Sequence, residues 1–101
     1  MSDLPENRSR RQLLRTAALF RELNDAVQVY FEGDGTTQSA FVCECSDSSC
    51  VGMIRLTPTE YADIRAHPTR FFVLPGHELP DLERVVEANG HFTVVETPVV
   101  P

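Results

Sequence analysis

Apolar residues recur at three- and four-residue steps in the first part of the chain, and no Gly or Pro interrupts them. This period is typical of an amphipathic helix. We predict a helix from about residue 7 to residue 27, preceded by a flexible tail over residues 1–7. The stripe expected to face the core consists of Leu13, Ala17, Phe20, Leu23 (or Asn24) and Val27.

Two short apolar runs flank a polar turn in the middle of the chain. Residues 40–45 and 51–56 read as strands, and Ser46 to Ser49 supply side chains that hydrogen-bond nearby backbone in turns. A polar, Gly-containing loop over residues 32–39 precedes them. We therefore predict a hairpin whose tip is pinned at Cys45 and Cys50.

The remainder of the chain carries one helix start and one hairpin signal. Thr57-Pro58-Thr59-Glu60 combines a capping box with Pro at the first helical position, so a short helix begins there and ends before Pro68. A strand follows over residues 70–74. Asn89-Gly90 between the runs 82–88 and 91–97 predicts a second hairpin.

These elements together predict an α+β fold. It has a long N-terminal helix, a short second helix and a small, largely antiparallel sheet with a zinc-pinned hairpin. The length of 101 residues, 42% of them hydrophobic, suffices for one core. We expect a single zinc-binding domain over residues 8–97, with a tail over residues 98–101.

Charge is distributed unevenly. Residues 8–22 hold five Arg and one Glu, whereas residues 23–101 hold four Arg and twelve carboxylates. The formal net charge of −6 disfavours broad nucleic-acid binding, which requires basic surfaces. The candidate surface for an acidic protein partner, such as part of the transcription or signalling machinery, is Arg8, Arg10, Arg11 and Arg15.

Location follows from what the sequence lacks. No stretch approaches the roughly 20 apolar residues that span a bilayer, and the N-terminus lacks the apolar run of a secretory signal. We therefore expect a cytoplasmic protein without a membrane partner. Thiols stay reduced in the cytoplasm, where clustered cysteines bind metals more often than they pair.

All three cysteines, Cys43, Cys45 and Cys50, lie within eight residues. Three thiolates and one imidazole are a common ligand set for Zn²⁺. An extended Cys-x-Cys pair would hold its Cα atoms about 7 Å apart, so the strand has to bend at Glu44. We favour His77 as the fourth ligand, because Gly76 lets the backbone turn sharply. His67, His91, water or a carboxylate are alternatives, and another metal or a redox thiol site is the alternative to zinc.

Three segments also carry a family resemblance. Phe41-Val-Cys43-Glu44-Cys45…Cys50 and Pro75-Gly76-His77-Glu78, with the helical run Phe20-Arg-Glu-Leu-Asn24, resemble a group of short, largely uncharacterised actinobacterial proteins. The resemblance spans roughly residues 15–97 and departs at Ser46, where Gly is expected. It implies a cytoplasmic metal-binding domain with Cys43, Cys45, Cys50 and His77 acting together, and it implies no activity.

The sequence leaves three functions open. A closed Cys3His site favours a structural zinc in a non-enzymatic protein-interaction or regulatory module. A thiol–zinc redox or metal sensor is the first alternative. A zinc enzyme is the least favoured: with water as the fourth ligand Glu78 could act as a base, but neither His-Glu-x-x-His nor the His-x-Glu order of zinc deaminases occurs.

Overall fold

The computed structural model describes residues 6–28 and 37–97, with backbone alone for residues 6–10 and 28. The first element is helix α1, Glu6–Gln28. It confirms the long N-terminal helix, which the uninterrupted 3.6-residue period predicts. The predicted tail over residues 1–7 falls mainly outside the described residues. The tail over residues 98–101 and most of the loop over 32–39 also lie outside them.

A short antiparallel hairpin follows. Strand β1, Ser39–Val42, pairs with strand β2, Met53–Leu56, in the register Phe41 opposite Ile54. Both strands are shorter than predicted at the cysteine end, because the backbone N–H of Glu44 bonds Phe72 of β3 and not β2. One further bond, from Cys43 N to Gly52 O at 3.0 Å, continues the pairing.

The second helix begins where its capping box predicts. Helix α2, Pro58–Arg65, has Thr57 as its N-cap, and the Thr57 hydroxyl accepts a bond from Glu60 N. The Glu60 carboxylate accepts one from Thr57 N in return, at 2.9 Å. Two of the helix's unpaired N–H groups are thereby satisfied, which fixes the start of α2.

Three more strands form a separate sheet. Strands β3, Arg70–Val73, β4, Arg84–Ala88, and β5, Thr93–Glu96, are antiparallel in the order β3-β5-β4. A bulge in β4 falls between Val85 and Glu87. The α+β class is thus confirmed, with its strands divided between two antiparallel sheets.

The core lies between the two sheets and α2. Phe41 stacks on Tyr61 with ring centroids 4.8 Å apart, and Phe72 packs edge-on against Phe41 at 5.8 Å. Such aromatic pairs are stabilising beyond the area that they bury. The core therefore joins β1, α2 and β3 directly beneath the cysteine segment.

Helix α1 faces this core with only part of its predicted apolar stripe. Ala17 and Asn24 are buried, whereas Leu23 is 48% exposed and Val27 is 40% exposed. The inward placement of Leu23 and Val27 was therefore wrong, and the alternative Asn24 is correct. Hydrogen bonds from Asn24 to β1 override the apolar preference. No helix in the described ranges is long and apolar enough to cross a membrane.

Candidate metal centre

The first two cysteines lie on a segment between the sheets. Past Val42 the chain turns towards β3, and Glu44 N donates to Phe72 O at 2.9 Å. Cys43 and Cys45 are each 1% exposed. The chain bends at Ser46 instead of at Glu44, where the bend was predicted.

A tight turn brings the third cysteine back. The Asp47 carboxylate accepts bonds from Ser49 N at 2.9 Å and from Ser49 Oγ at 2.6 Å. Cys50 N donates to Asp47 O at 3.0 Å and closes the turn. Side chains of this type hold a turn without secondary structure around it. Cys50 is partly buried, whereas Cys43 and Cys45 are buried.

His77 comes from the turn that follows β3. His77 N donates to Leu74 O at 2.9 Å. Pro75 occupies the second position of the turn, and Gly76 occupies the third with a φ of 88°. This is the pattern of a type II turn, which requires a positive φ at its third residue. The turn presents an exposed imidazole to the cysteines.

These segments bring four ligand atoms together. The sulfurs of Cys43, Cys45 and Cys50 and a nitrogen of His77 all lie within 4.8 Å of one another. His77 Nδ1 is 3.7 Å from Cys43 Sγ and 3.7 Å from Cys50 Sγ. Around tetrahedral zinc, with bonds of about 2.3 Å to sulfur and 2.0–2.1 Å to nitrogen, that separation is about 3.6 Å. The group is therefore geometrically able to hold a metal ion.

The electrostatics of the group favour a bound cation. Burial raises the pKa of Cys43, with the neighbouring Cys45 adding to the effect and a bond from Leu74 N opposing it. Burial likewise raises the pKa of Cys45. Thiolates packed this closely therefore need compensating positive charge, which a divalent cation supplies while displacing the thiol protons.

Two backbone amides point at the sulfurs. Leu74 N donates to Cys43 Sγ at 3.1 Å, and Gly52 N donates to Cys50 Sγ at 3.4 Å. Hydrogen bonds to the charged form of a group favour that form. The backbone therefore supports thiolates at two of the three sulfurs.

The other candidates of the sequence lie elsewhere. His67 follows α2 and lines a cleft with Arg70 and Glu87, and His91 is exposed in the β4–β5 loop. The Glu78 carboxylate accepts a bond from Gly76 N at 3.1 Å. That Cys43, Cys45, Cys50 and His77 are the ligands stays a prediction. Arg11 and Arg15 are exposed on α1, and the side chains of Arg8 and Arg10 lie outside the described residues.

Sequence reasoning missed the role of Glu44, whose side chain is fully buried between the two cysteines in the sequence. Glu44 Oε2 accepts a bond from Asn24 Nδ2 at 2.8 Å and forms an ion pair with Arg65. Glu44 Oε1 accepts a bond from Phe72 N at 3.2 Å. The two-residue strand period could have placed Glu44 opposite the cysteines. Only the fold shows that this opposite side is buried.

Arg65, the ion-pair partner of Glu44, has further contacts on both helices. Arg65 Nε donates to Asp25 at 2.8 Å, and its guanidinium lies 4.8 Å above the Tyr61 ring. Burial and a hydrogen bond to Asp25 raise the pKa of Tyr61 to about 12. Burial also raises the pKa of Glu44, and Arg65 opposes that effect. All of the carboxylate's partners named above are donors, so the site is built for its ionised form.

Comparisons with models of protein families, with curated proteins and with solved structures gave no match. The chemistry of the residues themselves is therefore what indicates a function.

Proposed function

We propose that this chain is a zinc-binding domain with a structural Cys3His site formed by Cys43, Cys45, Cys50 and His77. The convergence of the four ligand atoms within 4.8 Å carries the proposal. Three thiolates and an imidazole suit Zn²⁺ better than hard cations, which prefer oxygen ligands. Zinc would join the hairpin, the cysteine turn and the end of β3 in a domain with a modest core.

The ligand count supports a structural zinc over a catalytic one. Catalytic zinc sites keep one position for water or substrate, whereas four protein ligands fill the tetrahedron. Glu78, the base that an open site would need, instead bonds Gly76 N within its own turn. We therefore assign no reaction to the site.

Metal content of the purified protein tests the zinc assignment. Native mass spectrometry is expected to show one zinc ion per chain and none after Cys43→Ser. His77→Ala is expected to lower the zinc affinity strongly, because it removes one of four ligands. His67→Ala is the matched control, since it alters an exposed histidine outside the group. Retention of stoichiometric, tightly bound zinc by His77→Ala would refute the ligand set.

The role of the module is protein interaction or regulation in the cytoplasm. Its docking surface is the basic part of α1, where Arg11 and Arg15 project into solvent, with Arg8 and Arg10 preceding them. An acidic protein, such as part of the transcription or signalling machinery, complements that surface.

Cross-linking in extract followed by mass spectrometry tests this surface. A true partner is captured by the native chain and by the control Arg55→Glu, which alters an exposed arginine on β2. It is lost with Arg11→Glu/Arg15→Glu and at high salt, because screening weakens contacts between exposed charges. Equal capture of the partner by Arg11→Glu/Arg15→Glu and by the control Arg55→Glu would exclude α1 as the docking surface.

A thiol–zinc redox sensor is the second candidate, and the partial exposure of Cys50 favours it. An open cleft of about 550 Å³ also runs past Cys45 and His77. Two of the thiolates would form a disulfide and give two electrons to hydrogen peroxide. The peroxide, with two protons, would become two water molecules, and zinc would leave the site. Zinc release by mild peroxide, read with a chromophoric chelator, supports this function. Unchanged zinc content would exclude it.

A further inference from the structure

Glu44 stands between two of the proposed ligands in the sequence, Cys43 and Cys45, and is not itself one of the four clustered residues. It is fully buried, which is rare for a charged side chain and is tolerated when the charge is paired and hydrogen-bonded. Its partners come from three separate elements: Asn24 on α1, Arg65 on α2 and Phe72 on β3. A single carboxylate thus joins both helices and a strand at the cysteine segment.

Glu44 also links the two halves of the ligand set. Its backbone N–H and its Oε1 bond the O and N of Phe72, so residue 44 is fastened to one edge of β3. The next amide on that edge, Leu74 N, donates to Cys43 Sγ at 3.1 Å. The Leu74 carbonyl then accepts the bond that closes the His77 turn. These bonds to Phe72 and Leu74 therefore determine the distance between the cysteine segment and His77.

Asn24 holds the same segment from the opposite side. Its Nδ2 donates to Val42 O at 2.9 Å as well as to Glu44, and its Oδ1 accepts from Val42 N at 2.9 Å. The buried amide of α1 thus pairs with β1 as a neighbouring strand would. Any displacement of residues 42–44 must break these bonds.

We infer that Glu44 is a positioning residue of the metal centre, and that through Asn24 and Arg65 it couples metal binding to the docking of α1 and α2. The inference rests on the proposed metal binding. Groups that orient metal ligands typically change affinity by 10–100-fold when altered. Coupling is reciprocal, so a metal that fixes Glu44 also fixes Asn24 on α1.

Glu44→Gln tests the positioning role. The amide is isosteric, but its NH2 group would face the donors of Asn24 and Arg65. Cobalt(II) and zinc affinities measured by chelator competition are expected to fall 10–100-fold, with altered ligand-field bands for cobalt. The matched control is Glu96→Gln, which removes a β5 carboxylate that is paired with Arg84 of β4. Its affinities are expected to equal those of the native chain.

The outcomes separate the inference from the proposed function. If the native chain binds neither metal, the proposed function fails. If it binds both and Glu44→Gln binds within about twofold of it, only the positioning role fails. Glu44 would then support the fold equally with and without metal, leaving the dissociation constant unchanged.

A measurement on the native chain covers the case in which Glu44→Gln does not fold. Metal removal by a chelator is expected to speed hydrogen exchange of the Asn24 side-chain amide and of the Arg65 Nη2 protons, which donate to Glu44. NMR follows both. Amides of the β4–β5 pairing serve as the internal reference. Equal acceleration in all three places, or none in any, would overturn the coupling.

Discussion

The substitution Gly76→Ala separates the geometry of the His77 turn from its packing. A Cβ placed on Gly76 meets no heavy atom within 4 Å, so the change introduces no clash. The φ of 88° nevertheless lies in the left-handed region. An L-residue there costs about 1–2 kcal/mol relative to the right-handed region. The whole effect of the substitution is therefore backbone strain in the turn that presents His77.

That strain is expected to appear as weaker metal binding. If the turn relaxes, His77 moves away from the sulfurs, and about 1–2 kcal/mol corresponds to a dissociation constant roughly 5–30-fold higher. Chelator competition measures this constant, and urea unfolding of the metal-free chain measures any strain that stays in the turn. The strain must therefore either raise the dissociation constant of the metal or lower the unfolding free energy of the metal-free chain.

Gly90→Ala is the matched control for this prediction. Its Cβ also meets nothing within 4 Å, and Gly76 alone has a positive φ among the glycines of the described ranges. The control is expected to leave metal affinity unchanged and to gain at most about 0.4–1 kcal/mol from reduced freedom of the unfolded chain. Identical affinity and stability for Gly76→Ala and Gly90→Ala would refute the assigned turn geometry.

Three further predictions concern stability, each measured by urea unfolding. Phe72→Ala empties a fully buried site and is expected to lower the unfolding free energy by about 3–5 kcal/mol, whereas Val51→Ser, at a residue 89% exposed, changes it by less than about 0.5 kcal/mol. Thr57→Ala removes the N-cap of α2 and is expected to lower it by about 1 kcal/mol, while Thr57→Ser retains the cap and most of the stability. Burial raises the pKa of Glu83, the Leu79 amide opposes the shift and the nearby Glu78 charge adds to it. The stability that protonated Glu83 contributes is fully present below the pKa of Glu83 in the unfolded chain. It is lost as the pH rises through the higher pKa of Glu83 in the folded chain. Glu83→Gln should therefore be more stable than the native chain at pH 7.5 but not at pH 4.

Local signals predicted the regular elements well. Thr57 and Glu60 specify a start for α2 through two reciprocal bonds that involve nearby residues alone. The Asn89-Gly90 hairpin also forms, although Asn89 Oδ1 holds the turn by accepting bonds from the N–H groups of His91 and Phe92. Local chemistry of this kind does not depend on the rest of the fold, and it can therefore be read from sequence.

Longer-range features could not be read in the same way. The inward face of α1 is decided by Asn24, whose partners lie on a strand far along the chain. The burial of Glu44 depends on Arg65 arriving from α2. Periodicity allowed Asn24 only as an alternative to the apolar Leu23, and it gave no reason to bury Glu44. The cysteine spacing predicted three of the converging residues, and the turn at Gly76 favoured His77 as the fourth. The distance of His77 from the sulfurs, however, depends on the length of β3.

Zinc K-edge X-ray absorption on the metal-loaded native chain tests the central claim most directly. The Cys3His centre predicts three sulfur ligands at about 2.3 Å and one nitrogen at about 2.0–2.1 Å in the first coordination shell. The nitrogen shell is expected to change in His77→Ala and to remain in His91→Ala. A shell with fewer than three sulfurs, or a spectrum unaltered by His77→Ala, would contradict the proposed centre.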